Sequence, residues 1–153
     1  MNEQLKLSQL TISAQSVSII NELINAAEKF MNSFNQSELL ISFSNRNNTE
    51  KCKEYEMKYL SFFSQISPMI SELSSLNARL ATLIIKSDKA MEIELTALCE
   101  SKFNAFEAFE RTLYEYIEAM ESSFEHSSAT PLSIVNSTQR LVNALKALKE
   151  INL

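Results

Sequence analysis

The feature that most constrains this chain is a heptad pattern through its middle third. Ten residues recur at alternating spacings of three and four without interruption: Cys52, Tyr55, Tyr59, Phe62, Ile66, Met69, Leu73, Leu76, Leu80 and Leu83. This spacing keeps one side of an α-helix facing the same neighbour over its whole length. The pattern therefore predicts a long helix with one buried edge, which we call the seam.

The residues beside the seam predict how many neighbours this helix has. When the seam is lettered a and d from Cys52, the e positions include Phe63, Ile70 and Ile84, whereas every g position is polar. A two-stranded coiled coil buries only a and d, but a helix inside a larger bundle buries a wider stripe. We therefore expect a bundle with coiled-coil-like packing.

Composition supports an all-α fold. The chain has no glycine and only two prolines, Pro68 and Pro131. Sheets and tight turns commonly use glycine at positive φ, so its absence favours a few long helices joined by short polar loops. We expect one domain over residues 1–153, an elongated antiparallel helical bundle with three long helices and one shorter C-terminal helix.

Polar interruptions predict helices at about residues 3–43, 50–85, 89–125 and 131–152. Pro68 does not disturb the phase of the seam, so we expect a continuous second helix that bends there. Thr130 followed by Pro131 is typical of an N-cap and a first helical residue. Residues 86–88 contain neither glycine nor proline, so a second arrangement stays open, in which both central helices form one unbroken rod that must dimerise.

The other helices carry apolar stripes of their own. The first helix has Leu10, Val17, Ile20, Leu23, Ile24, Ala27, Phe30, Met31 and Phe34; the third has Leu95, Cys99, Phe103, Phe106, Phe109, Leu113, Tyr116, Met120 and Phe124; the fourth has Ile134, Thr138, Leu141, Leu145 and Leu148. Folding the second helix back on the third places Tyr59 beside Tyr114. The same folding gathers most aromatic residues at one end, which we expect to be the more stable end.

Catalytic signatures are missing from the sequence. His126 is the single histidine, and Ser123 stands where a Glu-x-x-His metal motif needs glutamate. A phosphate-binding loop requires glycine. Cys52 and Cys99 fall on apolar stripes, where a thiol behaves as a small hydrophobic side chain. We therefore expect no enzyme, with no catalytic residue, no metal site and no cofactor.

Charge and cysteine content suggest the setting. The net charge is −5, and residues 90–125 hold nine glutamates against Lys102 and Arg111. We interpret this acidic block as a solvated face, with a contact for a basic partner as the functional alternative. Scattered basic residues argue against nucleic acid. Two unpaired thiols and the lack of a signal peptide favour a cytoplasmic location.

The function that these features favour is protein–protein interaction, as an adaptor, an assembly subunit or a chaperone-like module. Candidate partner-binding residues are Leu39, Leu40 and Phe43, which crowd more apolar surface into a short segment than one helical face can hide, and Phe63 at an e position. We also expect a homodimer, because a short fourth helix leaves part of the long helices uncovered. The alternative is a peripheral membrane-binding amphipathic bundle, although no run of about 20 apolar residues spans a bilayer.

Overall fold

The computed structural model describes residues 2–34, 49–86 and 89–152. Regular secondary structure within these ranges is entirely α-helical, and the helices are α1 (Asn2–Asn32), α2 (Thr49–Lys86), α3 (Lys89–Glu125) and α4 (Pro131–Asn152). Helix α1 packs against α2 and α4, and α3 packs against α4 and α2. The prediction of an all-helical chain whose helices pack on one another is confirmed.

The seam of α2 is buried as predicted. Eight of its ten residues are buried, and the other two, Met69 and Leu83, are half-buried. The apolar e residues Phe63, Ile70 and Ile84 are also half-buried, whereas the g residues from Gln65 onward are exposed. The buried stripe of α2 is wide because this helix packs against two neighbours, α1 and α3. It is lopsided because only its e side is apolar, and the e residues are only partly covered.

Helix α2 continues through Pro68 without a break. Proline lacks an N–H, so the carbonyl of Ser64, four residues earlier, loses its helical partner. Both Ser64 and Pro68 are exposed, so water can satisfy this carbonyl. The expected continuous helix, with Pro68 on its outer face, is confirmed.

Helix α1 ends at Asn32, so the prediction that it reaches Phe43 is wrong. The hydroxyl of Ser33 donates to the Phe30 carbonyl at 2.6 Å, and the Ser33 and Phe34 amides make tight i to i−3 bonds of 3.1 and 3.3 Å. Lys58 Nζ then donates to the Ser33 carbonyl at 3.2 Å. These side chains satisfy the backbone groups that another helical turn would have used. Residues 35–43 lie outside the described part of the chain.

The first half of α1 buries a different face from the one predicted. Leu10 is 60% exposed, whereas Gln9, Ile12, Ser13 and Ser16 are buried. Apolar spacing alone selected Leu10, but hydrogen bonds allow Ser13 and Ser16 to turn inward. The other predicted members of the stripe, from Val17 to Phe34, are buried or half-buried.

The connection between α3 and α4 forms a tight turn without glycine. Ser127 adopts a left-handed backbone with φ of 50°, and the Ser128 amide bonds to the Ser123 carbonyl at 2.8 Å. This pattern is a Schellman motif, in which glycine is the usual residue. Helix α4 then begins at Pro131, and the Ser133 amide bonds to Thr130 Oγ1 at 3.1 Å. The predicted cap is confirmed.

Aromatic rings connect three helices at one end of the fold. Phe30 of α1 stacks on Phe62 of α2 with ring centroids 4.4 Å apart, and Tyr59 lies 6.0 Å from Tyr116 of α3. Tyr114, the predicted neighbour of Tyr59, is 64% exposed, so that pairing is wrong. Folding α2 back on α3 predicts how far along α3 the neighbour of Tyr59 lies, but not which face of α3 it occupies. Tyr116 belongs to the apolar stripe of α3, whereas Tyr114 lies outside it.

The contact between Tyr59 and Tyr116 also decides how α2 and α3 are related. In one unbroken helix these residues would be about 85 Å apart, because each residue adds about 1.5 Å. Their ring centroids are 6.0 Å apart instead. The two helices therefore lie side by side, and the unbroken rod is excluded. Residues 87–88 between them are not among the described residues.

Candidate functional site

A groove of about 430 Å³ lies between α2 and α3. We call it the α2–α3 groove, and its walls are Ile70, Ser71 and Ser74 from α2 together with Phe106, Glu110, Leu113, Tyr114 and Ile117 from α3. The apolar wall residues are half-buried, apart from buried Phe106 and exposed Tyr114. The groove is therefore an open apolar surface that the chain's described helices do not cover.

Local sequence explains why the groove stays open. Ser71 and Ser74 occupy the solvent side of α2 at this level, and a hydroxymethyl group is too short to fill the space toward α3. On the facing side, Tyr114 carries a large ring that remains 64% exposed. The small residues Ser71 and Ser74 on α2 and the large exposed ring of Tyr114 on α3 therefore leave the α2–α3 groove open, and an inserted side chain can fill it.

Phe63 is the one predicted partner-binding residue that the structure describes. It is half-buried and lies one heptad before Ile70, about 10 Å along the same edge of α2. Its ring centroid is 6.0 Å from that of buried Tyr59, and the side chain packs against the core. By helical register, Phe63 lies on the same side of α2 as Ile70, one heptad before the residues that line the groove. The other predicted residues, Leu39, Leu40 and Phe43, lie outside the described residues.

The α3 side of the groove is acidic. Glu110 is part of the wall. Glu121 acts on Tyr59, where it adds to the dominant effect of burial and raises the pKa of the phenol to about 12. Glu121 is exposed, and it lies on the same side of α3 as Ile117, four residues earlier. Carboxylates therefore lie beside the apolar residues of the α3 wall at two positions along this helix, Glu110 and Glu121.

The buried tyrosines give the fold a defined response to alkaline pH. Burial raises the pKa of Tyr59 to about 12 and also raises the pKa of Tyr116, whose hydroxyl bonds to Thr138 Oγ1 at 2.9 Å. An unfolded tyrosine ionises near pH 10, so above this pH the unfolded chain loses protons that the folded chain retains. Stability therefore falls as pH rises between about 10 and 12.

We predict that Tyr59→Phe reduces this alkaline loss of stability. The free energy of unfolding, measured by urea titration at about pH 9 and about pH 11, should fall less in the variant than in the original chain. Tyr114→Phe is the matched control, because Tyr114 is exposed. Equal losses in the original chain and in Tyr59→Phe would contradict the assignment.

A buried polar cluster, which the sequence did not reveal, joins α1, α3 and α4. The Ser13 hydroxyl donates to the Asn152 carbonyl and accepts a hydrogen bond of 3.0 Å from Lys102 Nζ. Burial lowers the pKa of Lys102 and raises that of the Cys99 thiol. Serine at positions 13 and 16 could have signalled an inward polar edge, but nothing in sequence spacing connects it to residue 152.

The polar cluster does not have the geometry of an active site. The cavity beside Lys102, next to Asn77 and Asn152, is about 10 Å³, which is the space of a single water molecule. A substrate has no room there. The lysine charge lies instead near the C-terminal carbonyl groups of α4, which is a favourable position for a cation. The cluster therefore fixes the end of α4 against α1 and α3.

Several exposed aliphatic residues lie at the end of the fold where α4 has already ended. Asn152 is level with Ser13, so the first turns of α1 extend beyond α4. The aliphatic residues exposed in this region by 60–80% are Leu7, Leu10, Ile85 and Ile93. Lys6 and Glu94 connect α1 and α3 there through an ion pair of 2.8 Å. We call these four aliphatic residues the three-helix end.

Within residues 2–34, 49–86 and 89–152, no three His, Cys, Asp or Glu side chains are grouped so that they could hold a metal ion. His126 is exposed, and its Nδ1 lies 2.9 Å from the Ser122 carbonyl. Cys52 and Cys99 are free and buried. None of the helices over the same ranges has the length and apolar character needed to cross a bilayer.

Comparison with known proteins found no match to this chain among protein-family models, curated proteins or solved structures.

Proposed function

We propose that this chain is a non-enzymatic protein–protein interaction module, serving as an adaptor, assembly subunit or chaperone-like protein, and that the α2–α3 groove is its binding surface. The observation that carries the proposal is the groove itself. Ile70 on α2 and Leu113 and Ile117 on α3 line it as half-buried apolar residues, beside exposed Tyr114. Apolar grooves between helices are common docking sites for a partner helix, and aromatic residues are enriched at such interfaces.

The proposed architecture is an elongated antiparallel bundle with coiled-coil-like packing. Two ring contacts support it for α1 and α2: Phe30 faces Phe62, whereas Phe34, later in α1, faces Tyr55, earlier in α2. For α2 and α3, Tyr59 meets Tyr116, whereas Ile70, later in α2, shares the groove with Phe106, earlier in α3. Such an architecture presents its surfaces on rigid helices.

Photo-crosslinking tests the proposal. A photoreactive amino acid at Ser71 lies in the groove, whereas the same residue at exposed Ser18 lies on α1, away from it. We expect Ser71 to crosslink to a discrete protein in extract of the source cells and Ser18 to give much less product. Filling the groove with Ser74→Tyr should remove the Ser71 product, because Ser74 is an exposed wall residue whose replacement leaves the core intact.

Two results would contradict the proposal: equal crosslinking at Ser71 and Ser18, or a Ser71 product that persists with Ser74→Tyr. Circular dichroism of each variant confirms that it folds. A Ser71 product that is a dimer of the chain itself would identify the partner as a second copy.

A homodimer remains part of the proposal, and the three-helix end supports it. Leu7, Leu10, Ile85 and Ile93 expose aliphatic surface where α4 offers no cover. A two-fold partner could bury these residues. Size-exclusion chromatography with light scattering at micromolar concentration tests this state, and a strictly monomeric mass would contradict it.

The free, buried thiols Cys52 and Cys99 suit the cytoplasmic location that we propose.

The second candidate function is peripheral membrane binding. The exposed aliphatic residues of the three-helix end favour it, since such side chains can enter a lipid interface. Arg140, Lys146 and Lys149 of α4 could attract anionic headgroups. Co-sedimentation with anionic vesicles at low salt separates this function from the first, because a protein that acts only through the groove stays in the supernatant.

A further inference from the structure

We infer that the occupant of the α2–α3 groove is an amphipathic helix with lysine or arginine beside its apolar stripe. The inference rests on the proposed function and specifies the chemistry of the partner. It depends on the shape of the groove and on the sign of the charges along it.

The dimensions of the groove suit one helix. From Phe106 to Ile117 its α3 wall extends about 16 Å, which is the length of three helical turns. On α2, the lining residues from Ile70 to Ser74 extend about 6 Å, and the same side of the helix continues back to Phe63. An α3 wall of three turns matches a partner helix that presents apolar side chains at i, i+3, i+4 and i+7.

The charges along the groove are of one sign. Glu110 lies in the α3 wall, and Glu121 is close enough to Tyr59 to affect its ionisation. Glu107, seven residues before Tyr114, lies on the same outer edge of α3 and is exposed. The nearest basic residue on this helix, Arg111, lies about 60° further round toward solvent than Tyr114.

The α2 wall contributes no charge of its own. Its groove-facing residues are Ile70, Ser71 and Ser74, and the same edge continues backward through Ser67 and Phe63. A partner helix would therefore meet a neutral wall on one side and carboxylates on the other. Complementary charge selects a basic partner and repels an acidic one. The same argument disfavours two copies of this groove meeting face to face, since their glutamates would be brought together.

Binding of two synthetic peptides tests the inference. Both peptides are fluorescently labelled helices of about 18 residues with the same leucine stripe, and they differ only in having lysine or glutamate at the flanking positions. By fluorescence anisotropy at low salt, we expect the lysine peptide to bind the full chain at least about tenfold more tightly than the glutamate peptide. The difference should shrink as salt is added.

Variants that replace glutamate with glutamine test which carboxylates cause the preference for the lysine peptide. The double change Glu110→Gln with Glu121→Gln should reduce the preference for the lysine peptide to about two- to threefold. Glu22→Gln with Glu28→Gln makes the same change in net charge at exposed positions of α1, and it should leave the preference unchanged. Ser74→Tyr, which fills the groove from an exposed position, should weaken binding of the lysine peptide at least tenfold.

Equal binding of both peptides, or no binding of either, overturns the inference. So does an equal response to the α3 and α1 charge variants, because the preference would then reflect net charge alone. These results are distinct from failure of the proposed function, since groove-dependent crosslinking at Ser71 would still show that a partner of other chemistry occupies the site.

Discussion

Phe62→Ala is expected to lower the free energy of unfolding by about 3–5 kcal/mol. The Phe62 ring is 4% exposed and stacks on Phe30 with centroids 4.4 Å apart, so its removal opens a cavity between α1 and α2. The loss combines hydrophobic transfer with an aromatic contact that alanine cannot replace. Urea unfolding followed by circular dichroism measures the change.

The adjacent Phe63→Ala is the matched control, because it removes the same side chain from a half-buried position. We expect a loss of about 1–2 kcal/mol, since part of its surface already faces solvent. If this residue extends the groove, Phe63→Ala should also weaken crosslinking from Ser71. Equal destabilisation by the two alanine variants would mean that the faces of α2 are misassigned.

Leu73→Ala tests the aliphatic part of the α2 seam. Leu73 is 3% exposed and borders the small cavity beside Lys102 and Phe106, so we expect a loss of about 2–5 kcal/mol. The surroundings of this residue come from several helices, and that limits how far they can collapse into the space left by alanine.

Glu107→Ala provides the control for the seam at an exposed site. Its side chain lies on the solvent side of α3, so the free energy of unfolding should change by less than about 0.5 kcal/mol. A loss for Glu107→Ala as large as that for Leu73→Ala would contradict the assignment of buried and exposed faces.

Local sequence determined most of the helical architecture. The seam of α2 continued unbroken through Pro68, and α4 began at the predicted Thr130 cap, because periodicity and capping depend on residues within a few positions of one another. Apolar spacing is likewise a local property, and for this reason the apolar stripes predicted for α3 and α4 were correct. Their spacing alone fixes which side of each helix is apolar.

Two predictions for α1 were wrong for the same physical reason. Its end at Asn32 depends partly on Lys58, which comes from another helix and could not be read from local sequence. Its buried face near Ser13 depends on hydrogen bonds to Asn152 and Lys102, residues that are remote in the sequence. In both cases long-range polar partners overcame a local preference.

Of the four predicted binding residues, the structure describes Phe63 alone; it is half-buried, and its role in binding stays a prediction. The sequence identified Phe63 because an apolar e residue exceeds what one seam can bury. It could not identify Tyr114 or Glu110 as residues of the groove wall, since heptad spacing says nothing about the distance between two helices.

By itself, then, the sequence determined that the chain is helical and which faces of α2, α3 and α4 are apolar, because these properties arise within one or two helical turns. Tertiary structure alone decided that α2 and α3 leave a groove between them and that its outer edge carries carboxylates. Interhelical separation depends on how side chains from different helices fill the space between them, and that packing is a property of the assembled fold.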